Sequence, residues 1–226
     1  MKKVFFICGF LMLATLYSAG GPPPGKPFEG VITFKITYPD SKFSESQLAM
    51  FPKVLTVSIK GSKSRTDFAM SGMNTIEITD HTEKTSVALI NMMGQKYAIK
   101  QTSEDIQKEM SKEPVGKVEL TNETKAIAGY TCKKAIVTTE EDGEKITYDV
   151  WFTNELGSRE INFDNPIYKD IDGLLMEFSM KTEQFSMKFT VSSVEKKSVA
   201  AKEFEIPADY KLTTKEELKS KFPGME

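Results

Sequence analysis

Two cysteines, one histidine and one tryptophan are all that 226 residues contain of those types, and each shortage closes off a kind of chemistry. His81 lies in a polar Asp80-His81-Thr82-Glu83 turn with no thiol, serine elbow or second histidine spaced to work with it. Nucleophile–base triads and zinc sites are therefore missing at motif level. A glycine-rich phosphate loop and a dinucleotide fingerprint are missing too. Neither sign of charge is in excess, with 30 basic residues against 32 acidic and a formal net charge of -2. That balance speaks against nucleic acid as a partner. No apolar run reaches the ~20 residues a membrane-spanning helix needs. The expectation is a non-enzymatic protein that requires no cofactor and no metal.

What is present begins with Lys2 and Lys3, an apolar run from Val4 to Leu16 and the small residues Ser18-Ala19-Gly20. This is the pattern of a secretory signal peptide, residues 1-20, cleaved near Gly20. An uncleaved anchor is the alternative, and the shortness of the run argues against it. Phe5, Phe6 and Ile7 precede Cys8 where a lipobox wants a small residue, so no lipid anchor is expected. Cleavage removes two lysines, shifts the formal charge to -4 and leaves Cys132 alone, so no intramolecular disulfide can form. Cys132 reads as a small buried hydrophobe. The expected location is periplasmic or otherwise exported, with no transmembrane segment in the mature chain.

Residues 21-27, rich in proline and glycine, read as an extended leader. From Phe28 the pattern becomes period-two, and residues 28-226 read as one β-rich domain. Ile32, Phe34 and Ile36 share a face, as do Leu55, Val57 and Ile59. A short helix is expected within Ser41 to Phe51 behind Ser44 as N-cap. Strands follow over 64–70, 75–79, 85–93 and 95–100, broken by Gly61, Gly72, Asp80-His81 and Gly94. Residues 102–110 read as a surface helix. Strands resume over 117–120, 129–138 and 145–152, with Glu141-Asp142-Gly143-Glu144 as a hairpin turn. A capped helical tail starts at Thr213.

The plainest amphipathic pair places Leu174, Met176, Phe178 and Met180 on one face and, after a Lys181-Thr182-Glu183 turn, Phe185, Met187, Phe189 and Val191 on its partner's face. Their opposite faces carry Glu177, Ser179, Ser186, Lys188, Thr190 and Ser192, so one side is oily and the other wet. Methionine, 12 in the chain, suits either a pliable apolar cavity or simple core filling. Trp151 has the opposite parity from Tyr148, Val150 and Phe152, and is either a surface aromatic or part of a second apolar layer. Asp164, Asn165, Asp170, Asp172 and Gly173 are rich in oxygen ligands yet match no calcium-loop spacing, and residues of these types also build turns.

Glu123 to Ala135, with its Gly129-Tyr130-Thr131-Cys132 centre, and Tyr148-Asp149-Val150-Trp151-Phe152-Thr153-Asn154-Glu155 resemble blocks of the exported domain-of-unknown-function family numbered 4412, which is related to GLPGLI-type proteins of Bacteroidetes. The late glycine-leucine motif of the GLPGLI proteins is reduced here to Asp172-Gly173-Leu174-Leu175. The resemblance implies a mainly β (α+β) fold, a curved antiparallel sheet or half-barrel of LolA-like type with a few short helices. It supplies no catalytic residues. The leading expectation is a cell-envelope binding protein that shelters a lipid, acyl chain or other apolar ligand. Leu174, Met176, Phe178, Met180, Phe185, Met187, Phe189 and Val191 would line its concave face. The alternative is a periplasmic or outer-membrane structural or interaction protein with a dry core, whose partner is another envelope protein.

Overall fold

The computed structural model describes residues 27–70, 73–141, 143–181 and 185–222. The signal peptide, most of the leader, and the expected turns at Gly72, Asp142 and Thr182-Glu183 lie wholly or partly outside them. Twelve strands among the described residues form one sheet: β1 (Glu29–Thr37), β2 (Val54–Lys60), β3 (Lys63–Met70), β4 (Met73–Asp80), β5 (Thr85–Met92), β6 (Gln95–Gln101), β7 (Lys117–Ile127), β8 (Tyr130–Glu141), β9 (Glu144–Thr153), β10 (Leu174–Lys181), β11 (Ser186–Lys196) and β12 (Lys211–Leu212). Helices α1 (Glu45–Leu48), α2 (Ser103–Met110) and α3 (Lys215–Lys221) are short. Ser44 and Thr102 each close a capping box, with Gln47 and Asp105 respectively, which satisfies the first free amides of α1 and α2.

The strand order is β12-β6-β5-β4-β3-β2-β1-β11-β10-β9-β8-β7. Two antiparallel meanders run outward from a central β1–β11 pair, and only β12 is parallel to its neighbour, β6. The expected half-barrel, or strongly curved sheet, is corrected by this ladder. The sheet is mainly β as anticipated but open, and its outer strands β7 and β12 do not pair. Both ends are built against further pairing. β12 is two residues long, while β7 is mostly exposed and loses register against β8 between Leu120 and Thr124.

Tyr97, Ala98 and Ile99 of β6 are all buried, so this strand is covered on both faces. After β11 the chain lays Val199 and Phe204 over Ile78, Leu89 and Ala98. It then runs along the β6 edge as β12, where the Thr213 amide donates to the Ala98 carbonyl at 3.0 Å. Finally it packs Leu218 of α3 against Ile90, Tyr97 and Ile99 on the other face. The C-terminal segment thus clasps the sheet edge from one face to the other.

Candidate functional site

The hairpin β10–β11 is where the sequence concentrates its apolar side chains. Phe178 pairs with Phe189 and Met180 with Met187, and the Phe178 and Phe189 rings stack at 4.9 Å with planes 8° apart. Met176 is 0% exposed, and Leu174, Phe189 and Val191 are buried with it in the cluster that holds Ile32, Phe34 and Cys132. Phe178 and Met187 are half-buried against that cluster. Phe185 lies apart, in a four-ring group with Tyr38, Phe43 and Phe51 at 5.2 to 5.9 Å. Met180 is 46% exposed.

Simple alternation fails at the start of β10. Its register against β9 slips between Leu175 and Glu177, and Leu174, Leu175 and Met176 are buried in succession. The reading of this face as a shelter for a lipid or acyl chain is corrected accordingly. Its rings and methionine fill the space between strands, and the open sheet presents no concave apolar face among the described residues.

The covering layer is a strap, residues 154–173, in which turn-forming polar residues flank the buried Leu156, Tyr168 and Ile171. Asn162, buried, donates through Nδ2 to the carbonyls of Ile171 (3.0 Å) and Gly173 (2.9 Å). The Asn165 side chain accepts from the amides of Ile167 and Tyr168, and Asp172 accepts from the Arg159 amide. These contacts occupy most of the oxygen-rich stretch with turn building. Gly116 closes one side of the strap. Its amide donates to the Pro166 carbonyl at 3.2 Å, and a Cβ there would lie 2.0 Å from the Ile167 carbonyl oxygen. Gly173 ends the strap at φ 150°, where a Cβ would meet the Thr153 carbonyl at 2.5 Å.

Toward β3–β5 the strap leaves a polar crevice, in which Glu77 of β4 and Asp164 of the strap line the same two adjoining cavities of about 380 and 220 Å³. Solvent reaches Glu77 through the crevice mouth, but protein surrounds it. Burial and the nearby Asp164 carboxyl raise the Glu77 pKa, with Lys215 and Ser86 opposing. Burial likewise raises that of Asp164. His81 shares the smaller cavity, its Nε2 2.9 Å from the Ser64 hydroxyl and its ring edge-on to Phe163 of the strap at 5.8 Å. Its Nδ1 is buried without a well-formed hydrogen bond, and burial lowers its pKa against the Glu160 backbone and Asp80. This carboxyl pair has no counterpart in the sequence reading, because its members sit on elements far apart in the chain.

The wet face carries the other concentration of polar groups. Trp151 is half-buried there, with Lys125 Nζ 4.3 Å from its ring centroid. Glu177 accepts from Lys125 at 2.9 Å and from Thr190 at 3.3 Å, and pairs with Lys188 at 3.1 Å. Burial alone would raise the Glu177 pKa, but the two lysines win and hold it below the usual value. Lys134 bridges Asp149 and Glu123 at 3.0 and 3.2 Å. Cys132 is fully buried in the main cluster, and burial pushes its thiol up, away from the reactive thiolate. Among the described residues no group of three or more histidine, cysteine, aspartate or glutamate side chains is placed to hold a metal ion. Among them, too, no helix is long and apolar enough to cross a membrane.

Fold and surface together define, among the described residues, an open, mainly antiparallel β protein whose apolar hairpin face is packed into the core. The model of the family "N-glycanase peptide, N-terminal domain" matches residues 38–161, more than half of the chain, and the chain belongs to that family. Both blocks that suggested family 4412, residues 123–135 and 148–155, fall within the match, so that resemblance and its LolA-like layout are overturned. No curated protein matches the sequence. A crystal structure of a β-barrel-like protein of domain of unknown function 1849 from Brucella abortus is similar at 8% identity and a TM-score of 0.38, over 76% of this chain and 99% of that one. A likeness so remote carries no further weight.

Proposed function

We propose that this chain is an exported, non-enzymatic interaction protein that meets a macromolecular partner through its polar surface. The observation that carries this reading is the consumption of the apolar hairpin face by the core: Met176 is fully buried and Phe178 stacks on Phe189. What remains accessible of this hairpin is its polar face and, at its tip, Met180. Export rests on the Lys2-Lys3 start, the apolar run and the small residues at 18–20. The absence of a basic excess argues against nucleic acid.

The test is to purify the mature protein from the cell envelope, extract it with organic solvent for mass spectrometry, and compare Met176→Trp with wild type. A dry core predicts no stoichiometric lipid and an overpacking penalty of about 1 to 3 kcal/mol in denaturant unfolding. Co-purifying lipid together with a tolerated tryptophan would overturn the reading. N-terminal sequencing of the same material checks cleavage between about Ala19 and Gly21, and an intact Met1 in a membrane pellet would refute export and release.

A further inference from the structure

Methionine stands in this chain mostly where the core does not need it. Of the methionines whose side chains are described, only Met176 is buried. Met73, Met92, Met180 and Met187 all lie at the end of the sheet where β1 finishes, and they are densest across β3, β4 and β5. Met70, Met73 and Met92 occupy successive places in one row of the ladder, Met70 opposite Met73 and Met73 opposite Met92. Directly opposed residues share a face and hold their Cβ atoms ~4.5 to 5.5 Å apart. Met73 and Met92 are half-buried against the cluster of Ile90, Tyr97, Ile99 and Leu218, so solvent still reaches both side chains.

Met93 follows in the two-residue turn that joins β5 to β6, at φ 51° before Gly94 at φ 80°. Asparagine-glycine and glycine-glycine form such a left-handed pair most readily, and a methionine at its first position carries backbone strain. Its side chain is 88% exposed, so no packing offsets that strain. What these residues have in common is a soft donor atom. Thioether sulfur is polarizable and uncharged, and among biological metal ions it selects Cu(I), whereas carboxylates and imidazoles suit harder or borderline ions. Among the described residues no group of three or more histidine, cysteine, aspartate or glutamate side chains is placed to hold such an ion. The three rotatable bonds of methionine let sulfurs from neighbouring strands converge on one point. We infer that the methionines at the β3–β4 and β5–β6 turns, Met73, Met92 and Met93 with Met70 beside them in register, form a thioether site for one Cu(I) ion. Cys132 is fully buried and His81 lies just past the opposite end of β4, so neither belongs to the site. This goes beyond the interaction reading above and does not depend on it.

The intact mature protein is titrated without oxygen with Cu(I), kept reduced by ascorbate, in competition with a chromogenic Cu(I) chelator. The expected result is about one Cu(I) per chain at a Kd of about 1 μM or tighter. Leucine matches methionine in volume, so the double variant Met73→Leu, Met92→Leu should unfold at the wild-type temperature while its Cu(I) affinity falls about tenfold or more. Met180→Leu, on the far side of β1, should bind Cu(I) as wild type does. A second measurement needs no variant: Ag(I), a soft ion with no redox chemistry under these conditions, should shift the methyl resonances of Met73 and Met92 and leave those of Met176 and Met180 in place. Three results would each overturn the inference: no Cu(I) retained at about 10 μM free ion, undiminished binding in the double variant, or Ag(I) shifts confined to other methionines. Zn(II) held as tightly by the same residues would overturn it too, because soft donors would then not be selecting the ion.

Discussion

The two flanks of the strap differ in kind although one segment of chain makes both. Toward β8–β10 it contributes Tyr168 and Ile171, both essentially unexposed, to a cluster with Val137, Val150 and Phe152. Toward β3–β5 it contributes Asp164 opposite Glu77, beside His81. The first flank is held by apolar burial, which is insensitive to pH. The second contains groups whose charged forms are disfavoured where they sit, so its contribution to stability varies with pH. A single covering loop can therefore be anchored on one side and adjustable on the other.

The comparison breaks most severely at Tyr168. Its ring meets Tyr148 and Phe178 edge-on, and its hydroxyl donates to the Ser179 carbonyl at 2.6 Å. Tyr168→Ala should cost about 3 to 5 kcal/mol in denaturant unfolding, while Tyr168→Phe, which loses only the hydrogen bond, should cost about 0.5 to 1.5 kcal/mol. Equal costs would mean that the strap is held there by the hydroxyl and not by packing. A smaller effect is expected at Gly116, where a methyl must displace the Ile167 carbonyl: Gly116→Ala should cost about 1 to 3 kcal/mol. Cys132→Ser, far from the strap's polar flank, should cost a similar 1 to 3 kcal/mol through a buried hydroxyl. A serine variant as stable as wild type but unable to bind its partner would contradict a purely structural Cys132.

Strand identity was legible because period-two alternation is a local property: β1, β2, β8, β9 and β11 stand where their apolar residues alternate, and Ser44, Thr102 and Thr214 cap helices as their side chains suggest. What the sequence could not show is how strands pair at a distance. The β1–β11 pair joins the two meanders across almost the whole chain, and that pairing leaves the sheet open where alternation alone equally suits a barrel. The irregularity in β10 hides for the same reason, since three consecutive apolar residues look like noise until the β9 register is known. The Glu77–Asp164 crevice was illegible because a glutamate between Ile76 and Ile78 reads as a solvated strand residue. Only the strap, folded back beside it, surrounds it with protein and leaves solvent access through the crevice mouth.

The smallest effect is also the one that separates the clefts by sign. Glu77 has a pKa raised above 4.5 in the folded protein, so its contribution to stability is fully present below its unfolded value and is lost as pH rises through the folded one. Glu77→Gln removes that loss. The variant should gain on wild type as pH climbs from about 4.5, the ordinary glutamate value, and level off once the wild-type carboxyl has ionised. Asp164 and Lys215 move the midpoint in opposite senses without changing the direction. Glu177 has a pKa lowered below 4.5 by Lys125 and Lys188, so its contribution is present above the unfolded value and lost as pH falls through the folded one. Glu177→Gln should therefore be less stable than wild type at neutral pH, by about 1 kcal/mol or less for a pair on a polar face, and the deficit should shrink in acid. His81 adds its own dependence, present above 6.5 and lost as pH falls toward its lowered folded value, but it is common to both variants and cancels in each difference from wild type. Urea midpoints measured from pH 4 to pH 7.5 for the three proteins should give two difference curves of opposite sign. Curves of the same sign would mean that the strap does not desolvate Glu77, and the contrast between its flanks would fail.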